Sequence, residues 1–176
     1  MGFSRAFFIS ILFIAVAIPG FAGSTTDWEE YTDKELQVTF RHPKEWKPSS
    51  AYYDRTYFGE ADGALQLSAA GADTPLKGCQ SAATHHLQPF GSHPRIRSLR
   101  VQGRKACVVW PSEDQGVNAD AEFFVEFPQP IDINGTRYNL ITLYADKNHI
   151  FQIIKTLRFI SRNHAVKTEP QMQTSR

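Results

Sequence analysis

The stretch "GCQSAATHHLQPFGSHPR", residues 78 to 95, brings Cys79, His85, His86 and His93 into one short span. A thiolate beside an imidazole makes a nucleophile and base, and three imidazoles can hold a metal ion. Spacing argues against both. Thr74 suits a helix N-cap, Pro75 suits the first helical position, and Leu76, Cys79, Ala83 and Leu87 recur at helical intervals. A helix over residues 73–91 puts Cys79 and His86 on one face but about 10.5 Å apart along the axis, whereas proton transfer needs ~3 Å. His42, His149 and His164 are more distant imidazoles, and nothing in their surroundings singles one out.

On that helix His85 and His86 diverge by about 100°, so one ion would be poorly chelated by both. His86 and His93 could supply two ligands, but a third is missing. Neither HExxH nor paired CxxC spacing occurs, and GxSxG, a phosphate loop and a dinucleotide fingerprint are absent too. The acidic loop "PSEDQG", with Glu113, Asp114 and later Asp120, lacks the alternating spacing of a calcium loop. No catalytic residue, metal ligand or cofactor is predicted.

The two cysteines have a simpler reading. Cys79 lies on the apolar helix face and Cys107 in the apolar strand "ACVVW", so a disulfide would staple helix to sheet. The compartment makes this reasonable. Arg5 precedes an uncharged apolar run from Ala6 to Ile18, Pro19 and Gly20 break it, and Gly20-Phe21-Ala22 offers small residues for cleavage between Ala22 and Gly23. About a dozen apolar residues are too few to span a bilayer, which takes roughly 20. The expectation is a signal peptide at 1–22 and a chain exported to the periplasm or medium, where two cysteines pair. No Cys follows the cleavage site to take a lipid anchor, and no second apolar segment is long enough to span a membrane.

The chain has 19 basic and 18 acidic residues; losing Arg5 leaves 18 of each. A formally neutral mature chain speaks against a nucleic-acid or anionic-membrane binder, which would carry a large positive field. Basic residues are nonetheless concentrated in "PRIRSLRVQGRK". Arg95, Arg97 and Arg100 could present guanidinium forks to carboxylates or phosphates, and the bland alternative is a solvated, charged sheet edge.

These residues must be positioned by an α+β domain over residues 23–160, with a mostly antiparallel sheet and two main helices. Strands are predicted on either side of Thr32-Asp33-Lys34, with Leu36, Val38 and Phe40 alternating inward. "KEWKPSS" reads as a loop anchored by Trp46, and "AYYDRTYFG" and "ALQLSAAG" as a hairpin around "EADG". "PRIRSLRV" and "RKACVVWPS" turn at Gln102-Gly103, and "DAEFFVEF" reaches "TRYNLITLYA" through the long connection "PQPIDING". Asp146 should cap a last helix whose stripe is Ile150, Ile153, Ile154 and Leu157. The polar tail 161–176 is expected to be disordered.

Tyr31-x-Asp33, followed by Val38-x-Phe40-x-x-Pro43-x-x-Trp46, resembles the opening of PsbP-like domains. The closing helix and "IIKTLRFI" are similar to how exported bacterial members end, so the resemblance runs from Trp28 to Ile160. It implies an α/β/α sandwich with an antiparallel sheet, and a binding or assembly role. Members bind partners as different as a photosynthetic complex and a nuclear transport GTPase, so the fold names no partner here. Tyr31, Phe40, Pro43 and Trp46 look like packing and turn residues.

The leading expectation is an exported, non-catalytic domain that binds a protein or cell-envelope component. An exported hydrolase with a site assembled from distant residues is the alternative, and a metal-binding accessory protein using His85, His86 or His93 a third. A buried pocket with converging polar groups would favour the enzyme, an exposed arginine-rich or apolar patch the binder.

Overall fold

A computed structural model describes residues 27–48, 55–58 and 63–160. The predicted signal segment and the C-terminal tail lie outside them. The element order is β1 (Trp28–Asp33), β2 (Val38–Pro43), β3 (Lys47–Pro48), β4 (Arg55–Phe58), β5 (Ala64–Ala70), α1 (Pro75–Ala83), β6 (Arg95–Val101), β7 (Arg104–Trp110), β8 (Asp120–Ile133), β9 (Thr136–Asp146), α2 (Ile150–Thr156) and β10 (Arg158–Phe159). Every strand pair is antiparallel.

The strands form two sheets, where the sequence suggested one. A seven-stranded sheet has the order β3-β4-β5-β9-β8-β7-β6, and a three-stranded sheet the order β1-β2-β10. Period-two alternation in the long strands sorts side chains to opposite faces of the large sheet. Ala106 and Val108 of β7, with Phe123 and Val125 of β8, join Ile150, Ile153 and Leu157 and the small sheet's Val38 and Phe40 in the main core. Cys107, Val109 and Phe124 point the other way and pack with Cys79 and Phe90 beneath α1. Helices therefore cover both faces. This is an α+β sandwich, with Trp46 and Phe40 filling the core as packing residues.

Three local expectations need correction. "PQPIDING" is not a free connection: β8 continues through it to Ile133, with a register shift between Glu126 and Ile131 that accommodates Pro128 and Pro130. The reversal falls on Asn134 and Gly135, with φ of 50° and 79°, the left-handed pair that a two-residue hairpin requires. Gln102 and Gly103 repeat that geometry at the β6–β7 turn. "KEWKPSS" contributes the short β3 instead of only a loop. Asp146 does not cap α2; His149 holds the cap position, and Asp146 ties the preceding turn by accepting from the Asn148 N–H at 2.9 Å.

The fourth correction concerns α1. Thr74 caps it, its hydroxyl accepting from the Lys77 N–H, and Pro75 opens it as expected. The helix then stops at Ala83, not near Gly91. The Thr84 hydroxyl donates to the Gln80 carbonyl at 2.8 Å, Gln88 takes a φ of 47°, and Pro89 disfavours helix in the residue before it. The buried side of the short helix is Pro75, Gly78 and Cys79. Leu76 and Leu87, expected in the apolar stripe, are 45% and 73% exposed.

Candidate functional site

The shortened helix changes the geometry of the histidines. His85 and His86 follow its end, and their rings approach to 4.5 Å instead of diverging. His86 shares no helix face with Cys79. The His85 Nδ1 accepts from the Leu87 N–H, while the His93 Nδ1 lies 2.7 Å from the Ser92 hydroxyl in the next loop. Among the described residues no three His, Cys, Asp or Glu side chains converge as a metal set. Cys79 is bonded to Cys107, with Cα atoms 6.4 Å apart, so it has no thiolate to offer.

Two other constellations look like hydrolase parts. The segment entering β6 and the loop after β7 bring Ser92, His93, Arg95, Ser112, Glu113 and Asp114 around one cleft. In a Ser-His-Asp triad the hydroxyl and the carboxylate engage opposite ring nitrogens of the histidine. Here Ser92 faces Nδ1, the nitrogen the carboxylate should hold, and Asp114 accepts from the Ser112 hydroxyl and the Ser92 N–H instead. Those bonds lower the Asp114 carboxyl to about 2. The arrangement pins the loop: a Cβ on Gly91, whose φ is +82°, would overlap Ser112 and Asp114.

The second is Asp146 with His149, 2.6 Å apart at Nδ1, which sequence reading left unpaired. Asp146 is buried, and the imidazole packs between Trp28 and Trp46 at 6.1 and 5.2 Å. The expectation of a capping aspartate before the last helix pointed to Asp146, but its partner depended on where the turn closed. Its surroundings are aromatic, and they mark a structural pair at the β9–α2 junction.

The basic segment is placed more suggestively. β6 is the edge of the seven-stranded sheet, paired on one side with β7. An antiparallel ladder leaves alternate residues of such a strand with N–H and C=O groups directed outward. Arg95 and Arg97 share a face by register, and Arg100 is out of phase with them. The structure separates them further. Arg95 joins the Asp114 cleft, whereas Arg97 and Arg100 line a groove of about 570 Å³ between the edge strand and α2.

Lys155 and Arg158 complete that groove's rim; the sequence, reading the hairpin alone, missed both. Its floor is Leu99, Phe151 and Ile154, and Phe151 is fixed by stacking on Trp110 at 5.2 Å. No acidic residue lines it. Arg100 donates to the Gly103 carbonyl, and Arg158 to the carbonyls of Lys155 and Leu157. Each guanidinium uses one nitrogen this way and keeps further donors for a ligand. Four cations around an apolar floor favour an extended, anionic, partly apolar ligand.

No protein-family model matches the chain, and no curated protein matches it. The structure is similar to the solution structure of cyanobacterial PsbP (CyanoP) from Synechocystis sp. PCC 6803. That similarity covers 82% of this chain and 98% of that one, at 12% identity and a TM-score of 0.47. It concerns the outline of the fold and carries over no residue or ligand. Among the described residues no helix is long and apolar enough to cross a membrane.

Proposed function

We propose that this is an exported, non-catalytic binding domain whose groove between β6 and α2 receives an extended acidic segment of a partner protein. The observation that carries the reading is the groove itself, with Arg97, Arg100, Lys155 and Arg158 around Leu99, Phe151 and Ile154 beside an edge strand. A peptide adding to β6 would gain backbone hydrogen bonds, and its alternating side chains would meet cations and apolar floor in turn. A formally neutral mature chain makes the attraction local, which suits a docking groove better than a nucleic-acid surface. Export is supported by the N-terminal pattern and by the Cys79–Cys107 bond, which an oxidising compartment maintains.

The test uses a fluorescent peptide of alternating Glu and Val against the mature protein, with alternating Lys and Val as control. The acidic peptide should bind, and replacing Arg97, Arg100, Lys155 and Arg158 by Ser should weaken it at least tenfold, as should raising the salt. Equal binding of both peptides, or affinity unchanged in the quadruple variant, would overturn the reading. So would binding to phosphatidylglycerol vesicles in place of the acidic peptide.

A further inference from the structure

A second cleft lies on the opposite face of the large sheet, away from the basic groove. It is about 430 Å³, within the range of small-molecule sites, and opens between α1 and strands β8 and β9. Phe90, Phe124 and the Tyr144 ring give it aromatic walls, Phe90 and Tyr144 lying 5.9 Å apart. Gly78 lets α1 approach closely there: a Cβ at that position would stand 2.8 Å from the Phe124 ring.

Into this apolar setting β8 projects one carboxylate, Glu122. The Thr142 hydroxyl donates to its Oε1 at 2.9 Å. Asp120, two residues along the same face, accepts from the Tyr144 hydroxyl. No Lys or Arg lines the cleft; His85 is the basic side chain among its walls. Burial holds both carboxyls above the usual carboxylate range and raises the Tyr144 phenol, so negative charge here lacks compensation.

We infer that this cleft binds a small organic ammonium, its apolar body against Phe90, Phe124 and Tyr144 and its cationic head on the Glu122 carboxylate. The aromatic faces attract a cation through their quadrupoles, and the half-buried carboxylate gains the counter-charge it lacks. An anion would be repelled by Glu122 and Asp120. A neutral aromatic would fill the walls but leave the carboxylate desolvated and without a counter-charge.

Phenethylammonium is a suitable probe, with phenethyl alcohol as its neutral near-isostere, titrated calorimetrically into the mature protein. Saturable binding of the ammonium is expected, at least tenfold tighter than the alcohol, with a further tenfold loss in Glu122→Gln. Circular dichroism checks that the variant is folded, and aromatic proton shifts of Phe90, Phe124 and Tyr144 locate the ligand in the wild-type protein independently of it. Equal affinity for both probes, no saturation by about 10 mM, or undiminished binding by a folded Glu122→Gln protein would overturn the inference.

Discussion

Reducing the Cys79–Cys107 bond should be the most damaging single chemical change to this domain. The bond joins α1 to β7 across 28 residues of sequence. On the chain-entropy model a loop of that length stabilises the folded state by about 3.6 kcal/mol, because the reduced unfolded chain regains the freedom the cross-link removed. For a domain of this size that is a fall in Tm of about 10–15 °C. The loss should also be uneven. α1 has nine residues, too few to persist as an isolated helix, and its remaining hold on the sheet is the contact face of Pro75, Gly78 and Cys79.

The assay is urea unfolding with and without a phosphine reductant, together with thiol alkylation and mass measurement. Reduction should lower the midpoint and raise the m-value, since the unlinked chain exposes more surface when unfolded. Hydrogen exchange should show α1 amides losing protection well before those of β8 and β9. Two alkylated thiols in protein unfolded without reductant would refute the bond itself. An unchanged midpoint after verified reduction would refute the entropic account of its strength.

Protein recovered from the exported fraction should begin at or near Gly23 by N-terminal sequencing, and an intact Met1 on a cytoplasmic product would remove the basis for export. Glu122→Gln should stabilise the domain at neutral pH and flatten its acid dependence. Burial raises the folded-state pKa of Glu122, so the protonated form is favoured on folding and the stability it contributes is lost as pH rises from about 4.5 through the raised value. Chemical denaturation between pH 4 and pH 7 reads that slope; a wild-type slope equal to the variant's would refute the assignment.

Much of this molecule could be read from local chemistry. Thr74 and Pro75 announce a helix start, because capping and the missing proline donor act within one turn. Gln102-Gly103 marks a hairpin, and alternation in "ACVVW" separates Cys107 and Val109 from Ala106 and Val108. The Cys79–Cys107 pairing was legible because the two candidates were the whole set and each carried an inward-facing pattern.

What eluded the sequence depended on encounters between distant segments. The apolar spacing that seemed to extend α1 to Leu87 is real, but no sheet surface lies under that residue, so local terms at Thr84 and Pro89 end the helix first. Two prolines made "PQPIDING" look like a break, whereas a long partner strand carries β8 across a bulge. Charge type was evident in Arg97 and Arg100; company was not. Lys155 of α2 and Arg158 of β10 join them across the groove, nearly sixty residues later in the chain. Glu122 attracted no notice in sequence, since one carboxylate in a strand is ordinary. Its isolation among Phe90, Phe124 and Tyr144 arises when β8, β9 and the loop after α1 close around it, and solvent exclusion of that kind is a property of packed surfaces that no local pattern encodes.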